Sequence, residues 1–118
     1  MFNQKILLVD DDIQFLEATE YMLKYENYEV ITAKNGEEAI KKYSESEPDI
    51  VLMDLKMPVM NGYEAFFRIK KENPKAKVVF TSSYAINNEE YEEAEKAGLF
   101  GLLTKPFDLD ELNKMILS

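Results

Sequence analysis

The 118-residue chain contains no cysteine, no histidine and no tryptophan, and only four glycines and four prolines. Without cysteine there is no disulfide and no thiolate to hold zinc. Without histidine there is no imidazole to serve as base, nucleophile or metal ligand, so chemistry near neutral pH falls to carboxylates, lysines and hydroxyls. Basic residues are the minority, 14 against 23 acidic for a net charge of −9. That balance excludes the basic footprint of a nucleic-acid binder. No apolar run approaches the ~20 residues that span a bilayer. Met1-Phe2-Asn3-Gln4-Lys5 leads directly into an apolar run, so we expect no signal peptide and a cytoplasmic protein with no membrane partner. What is present suffices for a packed core: 46% of residues are hydrophobic and 12% aromatic. The length fits one domain over residues 1–118, with no room for a separate output domain.

Two stretches share one grammar. Ile50-Val51-Leu52-Met53 is a run of four apolar residues, the pattern of a strand buried on both faces, and Asp54 follows at its C-terminal end. Pro58 and Asn61-Gly62 then turn the chain. Lys5-Ile6-Leu7-Leu8-Val9 is likewise followed by Asp10-Asp11-Asp12. In an open parallel sheet, ligands bind beyond the C-terminal ends of the strands. Two central strands would bring Asp10, Asp11 and Asp54 to that edge. Two unit charges ~4 Å apart at an effective dielectric of about 20 repel by about 4 kcal/mol, so such a cluster calls for a cation. Hard oxygen ligands suit Mg²⁺, with Mn²⁺ as the alternative.

The rest of the chain alternates strand and helix. A strand at about residues 5–9 precedes a helix at about 13–26, with Leu16 and Leu23 as its core face and Phe15, Ala18 and Met22 as a partly exposed patch. A short strand at about 29–33, with only Val30 and Ile31 strongly apolar, suits a sheet edge. Asn35-Gly36 opens the second helix, whose inner face is Ala39, Ile40 and Tyr43, and Glu47-Pro48 closes it. The third strand is placed at about 49–53. Gly62 begins the third helix, with Phe66 and Ile69 inward and Tyr63 and Phe67 more outward. The fourth strand, about 77–81, ends in Ser82-Ser83-Tyr84. Asn87-Asn88 caps the fourth helix, whose acidic run forms a solvated face, and Ala97-Gly98 stops it. A fifth strand, about 101–104, leads to Lys105-Pro106-Phe107. Asp108 then caps a helix with Leu109, Leu112 and Ile116 inward. Fivefold β-α alternation predicts a parallel sheet with right-handed crossovers and helices on both faces.

The strand ends collect Asp10, Asp11, Asp54, Ser82 and Lys105. These residue types match the needs of phosphoryl transfer. Asp54 can serve as a carboxylate nucleophile that forms an acyl phosphate. The acids hold the metal that neutralises charge on the equatorial oxygens. Lys105 supplies a fixed cation and Ser82 a hydroxyl donor. A carboxylate is already ionised, so no general base is needed, which fits a chain without histidine. Any phosphohistidine belongs to a partner.

Leu8-Val9-Asp10-Asp11, Met53-Asp54 with Met57-Pro58 and Asn61-Gly62, Ser82, and Lys105-Pro106-Phe107 together resemble the receiver domains of two-component response regulators, over the whole chain. The stand-alone regulators of sporulation phosphorelays and the chemotaxis regulators are similar in length. The resemblance implies a flavodoxin-like (βα)5 fold with strand order 2-1-3-4-5, Asp54 as phosphoacceptor, and a switch rather than a separate enzyme. It implies Mg²⁺ ligation by Asp11, Asp54 and the Lys56 main-chain carbonyl, with Asp10 completing the acid pair, and a cis Lys105-Pro106 bond. Asp12 matches no ligand and opens the first helix. The implied partners are a sensor histidine kinase and a histidine phosphotransfer or output protein, engaged by a monomer.

Two departures stand out. The Ser82–Lys105 segment is one residue longer than in many relatives. We place the extra residue before the fourth helix, with Ser83 as the alternative hydroxyl. Leu102 stands where the family often has an aromatic, which removes a tyrosine switch. The Phe15, Ala18 and Met22 patch is the expected kinase-docking surface. Lys56 and Tyr84, two beyond Asp54 and Ser82, are expected to shield the acyl phosphate from water and lengthen its life.

Three other functions fit the residues less well. An aspartate-nucleophile phosphohydrolase of the haloacid-dehalogenase type needs an Asp where this chain has Lys56. A flavodoxin-type electron carrier needs a Ser/Thr/Gly-rich loop where this chain has Asp10-Asp11-Asp12. A pseudo-receiver would not retain the complete constellation.

Overall fold

The computed structural model describes residues 4–84, 86 and 88–118. Five strands, β1 (Lys5–Val9), β2 (Glu29–Ala33), β3 (Ile50–Asp54), β4 (Val78–Ser82) and β5 (Gly101–Thr104), alternate with five helices. The helices are α1 (Ile13–Tyr25), α2 (Gly36–Ser46), α3 (Gly62–Glu72), α4 (Glu89–Lys96) and α5 (Leu109–Ile116). All strand pairs are parallel, in the order β2-β1-β3-β4-β5, which is the flavodoxin-like order. The central β1, β3 and β4 are apolar along almost their whole length because helices cover both faces. The more polar β2 lies at the edge, as expected.

One core layer, on the α2–α3 side, is rich in aromatics: Phe66, Phe80 and Tyr63 pack edge to face with Val51, Met53 and Ile69 around them. The other layer is aliphatic and joins Ile6, Leu8 and Leu52 to Leu16 and Leu23 of α1 and Leu112 and Ile116 of α5. Burying each large side chain contributes roughly 1.5–3 kcal/mol.

Each described helix opens on an Asp or Asn whose side chain accepts a backbone N–H of the first turn: Asp12, Asn35, Asn61, Asn88 and Asp108. A cap of this kind is worth ~1 kcal/mol. These caps stand in the loops beyond the C-terminal strand ends, so they also fix the loops that frame that edge. Asp12 opens α1 as the sequence indicates. Asn87 of the expected Asn87-Asn88 cap lies outside the described residues.

Several expectations shift. β3 and β4 each sit one residue further along than placed, so Asp54 and Ser82 are the last residues of strands and not the first of loops. α1 ends at Tyr25, and Thr19 joins Leu16 and Leu23 on its buried face. Tyr63 is buried, because its ring packs edge to face on Phe80 with centroids 5.2 Å apart. Its hydroxyl reaches Asn88 Oδ1 at 3.5 Å, which gives the buried ring a polar outlet. Phe67 is half-buried. Leu109 is only half-buried, at the rim of α5 beside Tyr21 and Tyr25.

Candidate functional site

Register builds the site. Val9 is opposite Met53, so Asp10, the next residue along, lies beside Asp54. The Asp10 N–H continues the ladder by donating to Ala33 O at 3.1 Å. Ser82 is opposite Thr104, and the Lys105 N–H donates to Ser82 O at 2.7 Å, which carries Lys105 to the same edge. Beyond Asp54 the chain must return tightly. Gly62 N–H donates to Leu55 O at 3.0 Å, and a Cβ on Gly62 would collide with the Asp54 carbonyl oxygen. Only glycine allows that approach.

Carboxylate oxygens of Asp10, Asp11 and Asp54 lie within 4.8 Å of one another. Asp10 is 1% exposed and Asp54 8%, while Asp11 is exposed. Lys105 Nζ meets Asp10 Oδ2 at 2.5 Å and Asp54 Oδ1 at 3.4 Å. Asp10 Oδ1 also accepts the Asp12 N–H at 2.9 Å, tying the acid pair to the α1 cap. Burial first, and the negative charge of Asp10 next, push the Asp54 carboxyl up from 3.8 to about 6, against the pull of Lys105. Burial would lower the Lys105 ammonium, but its hydrogen bond to Asp10 and the charges of Asp54 and Asp10 outweigh that and hold the group above the ordinary lysine value. Three carboxylates facing one ammonium leave two uncompensated negative charges among hard oxygen donors. That donor set fits a small divalent cation.

A pocket of about 160 Å³ above the cluster is lined by Asp10, Asp11, Asp12, Asp54, Leu55, Lys56, Ser82, Ser83, Tyr84 and Lys105. The structure thus brings together the acid, hydroxyl and lysine residues expected from the sequence. Ser82 is 7% exposed, and its hydroxyl is turned to the loop backbone, donating to Tyr84 O at 3.0 Å and accepting from Tyr84 N at 3.1 Å. Ser83, the alternative, lines the same pocket but is exposed. Lys56 and Tyr84 meet at the mouth, with Lys56 Nζ 4.4 Å from the Tyr84 ring centroid. The Lys105-Pro106 bond is cis, as the resemblance implies.

Phe15, Ala18 and Met22 do not form a uniformly exposed patch. Ala18 is exposed, but Met22 is half-buried against the aliphatic core and Phe15 is half-buried against Phe107. The place of Phe15 beside Lys105, with Nζ 4.3 Å from its ring centroid, is not visible in the sequence, because it depends on how the segment after β5 lies against the first turn of α1. Among the described residues no helix is long and apolar enough to cross a membrane.

The model of the response regulator receiver domain matches residues 6–117. The chain is 38% identical to chemotaxis protein CheY of Listeria monocytogenes over 92% of its own length and 91% of that protein. It is 31% identical to sporulation initiation phosphotransferase F of Bacillus subtilis, over 98% of this chain and 93% of that one. It also matches 24% of the length of the longer regulatory protein AtoC of Escherichia coli, at 34% identity over 95% of this chain. Among solved structures, response regulator protein TrrA from Thermotoga maritima, crystallised in complex with Mg²⁺-BeF, superposes with a TM-score of 0.83. The two are 33% identical, with 97% of this chain and 96% of that one covered.

Proposed function

The chain belongs to the response regulator receiver domain family of two-component signalling, and from that premise we propose that Asp54 is the phosphoacceptor of a switch that catalyses its own phosphorylation and dephosphorylation. The observation that carries the reading is the sharing of one lysine ammonium by two buried carboxylates at the mouth of an acid-lined pocket. In this reading the chain acts as a single receiver domain and signals by changing its partner binding.

Asp10, Asp11 and Asp54, with the Lys56 main-chain carbonyl from the family pattern, are the residues that would hold Mg²⁺. When bound, the ion supplies charge neutralisation for the cluster and for the transferring phosphoryl oxygens. The chain's own residues do the rest. With its pKa at about 6, the Asp54 carboxylate is mostly ionised at neutral pH, so its oxygen attacks phosphorus without a base. The O–P bond forms as the P–N bond of the partner's phosphohistidine breaks. The electron pair stays on that ring nitrogen, and imidazole leaves neutral because its other nitrogen already carries a proton. Lys105 Nζ exchanges Asp54 Oδ1 for a phosphoryl oxygen while keeping Asp10. The Ser82 hydroxyl exchanges Tyr84 O for another.

Lys56 and Tyr84 both line the pocket, and in this reading the two large side chains, neither an acid nor an amide, hinder a water approaching behind the phosphorus. A long-lived acyl phosphate follows, suited to a relay or a sustained signal. The donor is a sensor histidine kinase whose phosphohistidine helix lies against exposed Ala18 and the neighbouring edges of Phe15 and Met22, in helix-in-groove fashion. Phosphate can then pass to a histidine phosphotransfer protein or be read by an output protein. The test is transfer from histidine kinases charged with labelled phosphate. Loss of label from a kinase and its appearance on wild type, but not on Asp54→Asn, supports the reading. Label retained by Asp54→Asn refutes it.

A further inference from the structure

The phosphoryl chemistry leaves one neighbour of Lys105 unexplained. The ammonium has three N–H donors. It meets Asp10 Oδ2 and Asp54 Oδ1, and its Nζ also lies 4.3 Å from the centroid of the Phe15 ring. That ring is itself held. Phe107 packs against it with centroids 6.0 Å apart and planes at 85°, and the Phe15 N–H donates to the Asp12 cap at 3.2 Å. The Lys105 side chain is 15% exposed, so the ring faces a cation stripped of most of its water. Cation–π attraction is strongest in that condition.

We infer that Phe15 is a positioning residue for Lys105, its ring face holding the ammonium over the acid cluster as the charge on Asp54 changes. The inference rests on the reading of Asp54 as phosphoacceptor. Once an Asp54 oxygen bonds to phosphorus, its pull on the ammonium falls, and the nearer carboxylate, Asp10, would draw the lysine away from the phosphoryl oxygens. Lysine hangs on a flexible four-carbon stem and is a point charge that can follow either anion. The aromatic face is an anchor whose attraction does not change with the state of Asp54. It keeps the cation near the place where charge develops, so less reorganisation is needed during transfer. A leucine at the same position would offer comparable bulk and no such face.

The test replaces Phe15 site-specifically with mono-, di- and trifluorophenylalanine. These nearly keep the shape of the ring and progressively drain its negative face. The readout is the rate of phosphorylation by acetyl phosphate, a donor too small to use a docking surface, alongside the melting temperature. The expected result is a stepwise fall in rate to about one-tenth at trifluorophenylalanine, a similar rate for Phe15→Leu, recovery in Phe15→Tyr, and melting temperatures unchanged across the fluorinated series. A rate that stays flat across the fluorinated series while Phe15→Leu is slow would overturn the inference and leave Phe15 as packing. Failure of the wild type to take a phosphoryl group on Asp54 would overturn the phosphoacceptor reading itself, and this inference with it.

Discussion

The two ends of the sheet use the same residue types to opposite effect. At the end where the strands begin, Asp49 accepts the Lys5 N–H at 2.7 Å, and Lys5 Nζ lies 3.4 Å from Glu29, with side chains 34% and 63% exposed. Such a wet pair is worth about 0–1 kcal/mol. At the end where the strands finish, Asp10 and Asp54 are buried against one lysine, and the Asp54 carboxyl rises to about 6. Acids at the first end close loops. At the second, burial and the charge of Asp10 disfavour the ionised form of Asp54, which on the proposed reading a cation or a phosphoryl group would relieve. Burial and crowding, not composition, separate a structural carboxylate from a reactive one.

The largest expected break in this comparison is Asp54→Asn. It is expected to abolish phosphorylation and, in EDTA at neutral pH, to stabilise the fold by on the order of 2 kcal/mol, because it removes a buried charge crowded by Asp10. Asp49→Asn at the other end is expected to cost at most ~1 kcal/mol, the value of one hydrogen bond. Denaturant unfolding of both variants reads the opposite signs, and a loss of stability in Asp54→Asn would sink the crowding argument.

The same contrast appears with pH. The native Asp54 carboxyl binds its proton more tightly than the unfolded one, so its stabilising contribution is complete below about pH 4 and is lost as pH rises through about 6. Discounted for the solvent that reaches the carboxyl, the displacement from 3.8 to about 6 corresponds to on the order of 2 kcal/mol. In metal-free buffer the Asp54→Asn variant should lack this fall. Equal slopes in variant and wild type would remove Asp54 as its source. Mg²⁺ is expected to stabilise the wild type by about 2.7 kcal/mol at 100 times its dissociation constant. A double Asp10→Asn, Asp11→Asn variant should show far less. Thermal unfolding with and without the ion checks both.

Smaller effects sharpen the account of the rim. Ala18→Arg is expected to slow transfer from a histidine kinase roughly tenfold while leaving labelling by acetyl phosphate unchanged. Equal loss from both donors would show that the site, not docking, was damaged. Lys56→Asn and Tyr84→Glu are expected to shorten the life of the acyl phosphate several-fold, read as decay after the donor is removed. Unchanged lifetimes would refute the shielding role.

Most of the reactive edge was legible in the sequence, because each piece is local. An apolar run ending in an acid, or a strand ending in hydroxyl or Lys-Pro, marks its own position on a parallel sheet. Strand order comes with the family resemblance and not from any one segment, and Asn61, which reads as a turn residue, proves to be the cap of α3. What escaped depends on contacts between distant segments. Tyr63 looks outward on helical spacing, yet is buried because Phe80 lies under it. The docking patch looks continuous on a helical wheel, yet Met22 and Phe15 lean onto the core and Phe107. The Phe15 ring finds Lys105 only because the segment after β5 brings Lys105 and Phe107 against the first turn of α1.

The central claim is that the buried acid edge is a phosphoacceptor site completed by a divalent cation. Intact-mass spectrometry after incubation with acetyl phosphate tests it most directly. The account expects one added phosphoryl group on the wild type in Mg²⁺, mapped to Asp54, and none in EDTA or in Asp54→Asn. A phosphoryl group gained without metal, or at any residue other than Asp54, would contradict it.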